Sequence, residues 1–220
     1  MKGAPSCRVY LVRHGETANA GEVCFNGHFD VKLSPSGEEQ IQKVSDALKN
    51  VPLKAIYSSD LIRTKKSAEI VCMHHDFSAI SYAELRELSF GEWEGLSVRE
   101  VNERFPDTLE KRLNDIETFQ VKGGENFQQL KERVIPKFEE IISRHQGGGC
   151  IAVLSHGGVN RIILSHILGM PIKNIFRVNQ EYSAVNIIQY YGDSPVVELI
   201  GGSHQHIHPP TWLERKISIQ

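Results

Sequence analysis

Two short apolar runs, each ending in a histidine-glycine pair, constrain this chain more than any other feature. Residues 7–12 (CRVYLV) run into Arg13-His14-Gly15, and residues 150–154 (CIAVL) run into Ser155-His156-Gly157. An apolar run as continuous as the second is the pattern of a central strand in a parallel sheet covered by helices on both faces. The pattern between and after them alternates strand and helix. Ser36-x-x-Glu39 is a capping box that predicts a helix over about 37–49, with Ile41, Val44 and Leu48 inward. Residues 55–58 form a second strand, and Ser59 or Asp60 caps a helix whose inner face carries Leu61, Ala68 and Val71. A third short strand is expected over 79–82. Ser97-x-x-Glu100 caps another helix, which Pro106 stops, and a long amphipathic helix carries Phe127, Leu130, Val134, Phe138, Ile141 and Ile142, with Pro136 expected to kink it or displace its boundary. A helix after Gly157 runs to Gly169 and Pro171, and residues 183–191 and 195–200 read as an antiparallel pair. The fold class that follows is α/β, a three-layer α/β/α sandwich with a mostly parallel sheet.

Composition narrows the partners. With 220 residues, 25 basic and 27 acidic side chains and a formal net charge of -2, nothing in the overall balance points to nucleic acid or a membrane surface. No apolar run approaches the roughly 20 residues of a spanning helix, and the N-terminus lacks a signal-peptide pattern, so a cytoplasmic protein, monomer or homodimer, is expected. Cys7, Cys24, Cys72 and Cys150 stand singly, without C-x-x-C spacing, and read as reduced and mostly buried. Met73 and Met170 are assigned to the core.

Ligands of open α/β sheets bind beyond the carboxyl ends of the strands. His14 and His156 follow two such ends and can share one crevice. Gly15 and Gly157 let backbone N–H groups approach an anion, and Arg13 offers a planar cation for bidentate contact with phosphate. Neutral imidazole attacks phosphorus without an activating base, and phosphoryl transfer asks mainly for positioning and charge neutralisation, which Arg13, Arg63 and His156 can supply. A leaving alkoxide needs a proton. Glu87, in the loop after the third strand, is the candidate donor, with Glu84, Glu92 and Glu94 as its rivals on spacing alone.

These residues resemble a known family. Leu11-Val12-Arg13-His14-Gly15-Glu16-Thr17 is similar to the signature of the histidine phosphatase (phosphoglycerate mutase-like) superfamily. The resemblance continues through Phe25-Asn26-Gly27 with Asp30, Leu33 and Gly37, through Tyr57-Ser58-Ser59-Asp60-Leu61-x-Arg63-Thr64, and through the acid loop from Leu85 to Gly95. Gly123-Gly124-Glu125-Asn126 and Ser155-His156-Gly157-Gly158 complete it. It implies a phosphoglycerate mutase-like fold, a phosphohistidine at His14, a phosphate pocket of Arg13, Arg63 and His156, Glu87 as proton donor, and no metal or organic cofactor. Asn26 and Gly27 are implied as phosphate-binding, together with Gly157. Asn19 is carried as a binding candidate although it stands one residue nearer His14 than the family's loop asparagine. The domain is expected to span 1–202, with a variable substrate-covering stretch at about 97–125 and a His/Pro-containing tail at 203–220. The wording Phe90-Gly91-Glu92-Trp93-Glu94-Gly95 resembles alpha-ribazole-5'-phosphate phosphatases and broad-specificity phosphatases, which implies hydrolysis of a small phosphorylated metabolite.

Other readings stay open at this point. Phosphoglycerate mutase-type transfer is the alternative within the family. A histidine metal site is another, given His74-His75 and His204-x-His206-x-His208, although the triplet reads more simply as solvated tail. A non-catalytic phosphate-binding module is a third, and the joint presence of His14, Arg63, Glu87 and His156 argues against it. Trp93 and Phe90 are expected to pin the acid loop rather than stack on a substrate. Whether Glu125 shares the work of Glu87 is left undecided by spacing.

Overall fold

The computed structural model describes residues 4–210 and Trp212. Six strands form one sheet: β1 (Cys7–Arg13), β2 (Leu53–Ser58), β3 (Ile80–Ser81), β4 (Cys150–Ser155), β5 (Val185–Tyr191) and β6 (Ser194–Gly202), in the spatial order β3-β2-β4-β1-β5-β6. The first four in that order run parallel, and β5 and β6 join antiparallel. The sheet is thus mostly parallel, as the buried apolar runs require.

Successive strand residues face opposite ways, and the two cores follow that period of two. Val9, Leu11, Ile151 and Val153 pack under α5 (Phe127–Ser143) and α6 (Gly157–Leu168), whereas Tyr10, Val12, Ala152 and Leu154 pack under α1 (Pro35–Leu48) and α2 (Ile62–Cys72). Two short helices, α3 (Val98–Arg104) and α4 (Thr108–Asn114), lie over a third, smaller cluster of Trp93, Val101 and Val121.

Several local expectations need correction. The cap of α1 is Ser34, whose hydroxyl accepts from the Gly37 amide, with Pro35 opening the helix; Ser36 lies inside it. Proline's fixed φ suits the first helical position and outweighs the nearby Ser-x-x-Glu pattern. α2 has no cap from Ser59 or Asp60. Its Ile62 amide donates to Asp30 from a distant loop, while Asp60 holds Arg86 in a bidentate pair at 2.6 Å. α5 runs unbroken through Pro136, with its boundary at Ser143. Met73 is 65% exposed at the end of α2, not in the core. The capping box of Ser97 and Glu100 and the left-handed Gly169 after α6 stand where the pattern predicts.

Among the described residues no helix is long and apolar enough to cross a membrane, and no group of three or more His, Cys, Asp or Glu is arranged to hold a metal ion. In the His204-x-His206-x-His208 stretch, His206 and His208 are exposed, as the solvated reading expects, while Tyr10 Oη donates to the His208 carbonyl at 2.8 Å and Ile207 is buried against the core beside α1.

Candidate active site

Parallel pairing brings the two histidines together. Arg13 of β1 pairs with Ser155 of β4, so His14 and His156 each stand one residue past a matched pair, and the His14 amide donates to the Ser155 carbonyl at 2.9 Å. Their ring centroids lie 5.3 Å apart. His14 Nδ1 sits 2.7 Å from the Gly15 carbonyl. A carbonyl only accepts, so Nδ1 carries the proton and Nε2 keeps its lone pair. Burial, with Arg63 and Arg13 close by, holds His14 well below the usual histidine range, so the ring is neutral at physiological pH.

Gly15 and Gly37 explain why this loop needs no side chains: a Cβ on either would overlap the backbone of the other segment, Gly37 O or Glu16 O. The loop therefore lies backbone to backbone against the first turn of α1.

Arg63, on the first turn of α2, is 1% exposed and donates to the carbonyls of Gly27 at 2.6 Å and Phe29 at 3.1 Å. Arg13 donates to the Gln180 carbonyl at 2.6 Å and lies 4.2 Å from the centre of the Tyr182 ring. His156 has Nε2 2.7 Å from Ser59 Oγ. It too is held well below the usual range, by burial and then by Arg63, His14 and Arg13, so the ring is neutral and not the standing cation expected from sequence.

Glu87 arrives from the loop after β3. Its Oε2 accepts from the Gly158 amide at the start of α6 and its Oε1 from the Leu88 amide, both at 2.9 Å. A Cβ at Gly158 would overlap Glu87 Oε1, which accounts for the second glycine of that motif. The rival acids have other work. Glu94 accepts from the amides of His28, Phe29 and Phe90, tying the 25–29 loop to the acid loop. Glu125 is bidentate with Arg133, which also donates to the carbonyls of Glu84, Arg86 and Glu87; it holds the loop and does not reach toward His14. Glu92 pairs with Lys122 at the surface, and Glu84 with Lys137.

Beside them lies a cavity of 460 Å³, whose lining leaves out the fully buried His156. Arg13, His14, Arg63, Glu87, Asn26, Gly27 and Gly157 line it; Asn19 does not, and is instead hydrogen-bonded side chain to side chain with Asn26 at 2.8 and 3.0 Å. Arg13 Nε, Arg63 Nε, Arg112 Nη1 and His156 Nδ1 are buried without a hydrogen-bond partner in the protein. Leaving a buried donor unmade costs about 1–3 kcal/mol, so three arginines with unpartnered N–H groups beside one cavity call for an anion. The sequence reading missed Arg112, Arg161 and Tyr182, which also line the cavity, along with the apolar wall of Leu109, Ile116, Phe127 and Phe176. Except for Phe127, which opens α5 and was read only as part of that helix's apolar face, they come from α4, the middle of α6 and the segments outside the long helices and strands, where no motif marks them. Trp93 is 2% exposed and packs against Phe25, Phe105 and Phe119, in line with the loop-pinning role, while Phe90 both packs on Phe25 and lines the cavity.

Fold and sequence comparisons define the class as a phosphatase: the chain belongs to the histidine phosphatase superfamily (branch 1), whose family model matches residues 9–202. Particular relatives follow. The adenosylcobalamin/alpha-ribazole phosphatase of Escherichia coli (strain K12) is 30% identical over 187 residues, 84% of this chain and 92% of that protein. The protein named "Probable phosphoglycerate mutase GpmB" of Salmonella choleraesuis (strain SC-B67) is 31% identical over 183 residues, 83% of this chain and 85% of that one. The crystal structure of the alpha-ribazole phosphatase from Shigella flexneri superposes with a TM-score of 0.81 at 25% identity, covering 89% of this chain and 96% of that chain.

Proposed function

We propose that the protein hydrolyses a small phosphomonoester through a phosphohistidine at His14. The observation that carries this reading is the bare Nε2 of a neutral, buried His14 facing a cavity ringed by unpartnered N–H donors.

His14 Nε2 attacks phosphorus as the bond to the leaving oxygen breaks. Arg13, Arg63 and His156 take the phosphoryl oxygens, with Asn26, Gly27 and Gly157 shaping the pocket and Asn19 positioning Asn26. Glu87 gives its proton to the departing alkoxide, then as a carboxylate takes one from the water that attacks phosphohistidine, releasing phosphate and restoring both residues. The two amides on Glu87 fix its direction beside the α6 N-terminus, near the glycines that flank the phosphoryl site.

Apolar walls formed by Leu109, Ile116, Phe127 and Phe176 support a leaving group with an apolar body, and support hydrolysis over transfer to a second small polar acceptor. Alpha-ribazole-5'-phosphate, which carries an aromatic base and is the compound named by two of the relatives, is the first natural ester to try.

The test is hydrolysis of an aryl phosphate with chelator present, comparing wild type with His14→Ala and trapping acid-labile phosphoenzyme. Chelator-resistant turnover and label that both vanish in the variant are expected. Turnover that survives the substitution would overturn the mechanism. Phosphoenzyme that passes its phosphoryl group to phosphoglycerate faster than to water would point to the mutase alternative.

A further inference from the structure

Arg112 is a buried cation that the phosphoryl chemistry leaves unexplained. It sits on α4, inside the stretch that sequence patterns leave undeciphered, and is 6% exposed. Its guanidinium lies 5.2 Å from the Phe90 ring centre and 5.3 Å from that of Phe127, and its Nη1 has no partner. Among the described residues it makes no ion pair within 4.0 Å. A charge taken out of water costs several kcal/mol unless something compensates it, and two aromatic faces compensate only in part.

The charge balance of the cavity points the same way. Arg13, Arg63, Arg112 and Arg161 line it with Glu87 as the one acid among the lining residues, an excess of three positive charges with Glu87 ionised and four with it protonated for proton donation. A phosphomonoester dianion offsets two of them. Position assigns the remainder. Arg13 and Arg63 act on both histidines as well as on Glu87, whereas Arg112 and Arg161 act on Glu87 and on neither histidine; Arg161 Nε donates to the Val178 carbonyl, which leaves Arg112 as the one of these two with an unpartnered buried N–H. Burial draws the Arg112 guanidinium down to about 10, and Glu87 offsets this only partly.

We propose that Arg112 is a specificity-determining residue that binds a second anionic group, a carboxylate or another phosphate, carried by the leaving group of the substrate. The preferred substrates are then acidic phosphomonoesters with an apolar body. The inference rests on the phosphatase reading and narrows it: alpha-ribazole-5'-phosphate, with no second anion, falls below an acidic ester of similar size.

The experiment compares phenyl phosphate, 3-carboxyphenyl phosphate and 1,3-phenylene bisphosphate as substrates, and the matching phenylphosphonates as non-hydrolysable ligands in calorimetry. Wild type, Arg112→Met and Arg112→Lys are measured together; the Met variant replaces a buried charge by an apolar chain beside two phenyl rings. A charge-assisted contact is worth about tenfold or more in binding, so wild type should favour the doubly anionic compounds by about that factor in kcat/KM and affinity. Arg112→Met should erase the preference and Arg112→Lys should keep part of it, with the carboxylate and bisphosphate arms showing which anion is favoured. Equal wild-type performance on phenyl phosphate and its acidic analogues overturns the proposal, as does a parallel loss on all three in Arg112→Met. If the phosphonates show the preference while no ester is hydrolysed and no phosphoenzyme forms, the subsite stands and the phosphatase reading fails.

Discussion

The cavity has two walls of different construction. On one side, His14, Arg13 and His156 hang from β1 and β4, neighbouring strands locked in continuous register from Arg8↔Cys150 to Arg13↔Ser155. On the other side, α3 and α4 are seven residues each, rest on a cluster of Trp93, Val101 and Val121, and present Arg112 beside Leu113, which is 71% exposed. Short helices gain little from their own hydrogen bonds and depend on tertiary packing. α4 also starts at Asp107 in the left-handed region, φ 63°, without a side-chain cap. The chemical wall is positioned by backbone ladders and backbone-to-backbone contacts, the covering wall by side-chain packing. Substitutions should therefore separate chemistry from recognition.

The largest effect is expected at the chemical wall. His14→Ala should lower kcat by about 10⁴-fold or more and abolish acid-labile label, read by single-turnover kinetics; removal of a nucleophile has effects of this order or larger. Glu87→Gln should slow alkyl esters by about 10²–10⁴-fold and nitrophenyl phosphate much less, because a good leaving group needs no proton. Equal slowing of both classes would remove Glu87 from the acid role.

Gly158→Ala sharpens that assignment without touching the carboxyl group. Its Cβ would overlap Glu87 Oε1, so the same leaving-group dependence should appear at about tenfold, a displaced acid being less damaging than an absent one. On the covering wall, Trp93→Ala should raise KM for bulky esters several-fold while phosphoenzyme still forms, and should cost about 3–5 kcal/mol in urea unfolding because it empties a 2% exposed indole site. A fall in kcat at unchanged KM would erase the distinction between the walls.

The smallest effect is one of pH on stability. His14 and His156 are held neutral when folded, but each binds a proton below about pH 6.5 in the unfolded chain. The unfolded state then carries more protons, so stability present above pH 6.5 is lost as pH falls, by up to about 1.4 kcal/mol per pH unit for each histidine. Urea unfolding at pH 7 and pH 5.5 should show a shallower pH dependence for His14→Asn than for wild type. An unchanged slope would place the proton uptake elsewhere.

Legibility in the sequence followed the same division. Strand ends, His14, His156 and the Ser97 cap were readable because each sits at a fixed offset from a periodic element, whereas Arg63 was picked out by the segment that resembles the family's. Ser36 was misread as a cap because two serines flank Pro35, and the N-terminal cap of α2 was misread because the partner of its Ile62 amide, Asp30, lies 32 residues away. Asn19 was grouped with the ligand-binding residues through the family resemblance, one residue out of place, whereas in the fold it pairs with Asn26 and is not part of the cavity lining.

By itself the amino-acid order determined the layered α/β class and the crevice edge and pointed to His14 and His156 at that edge, since apolar periodicity and strand-terminal motifs are local properties. Tertiary structure decided the rest: which acid faces the site, how both histidines stay neutral, and that Arg112 enters the cavity unpaired. Those depend on burial and on neighbours far away in the chain, and no spacing along a sequence encodes the field that such neighbours create.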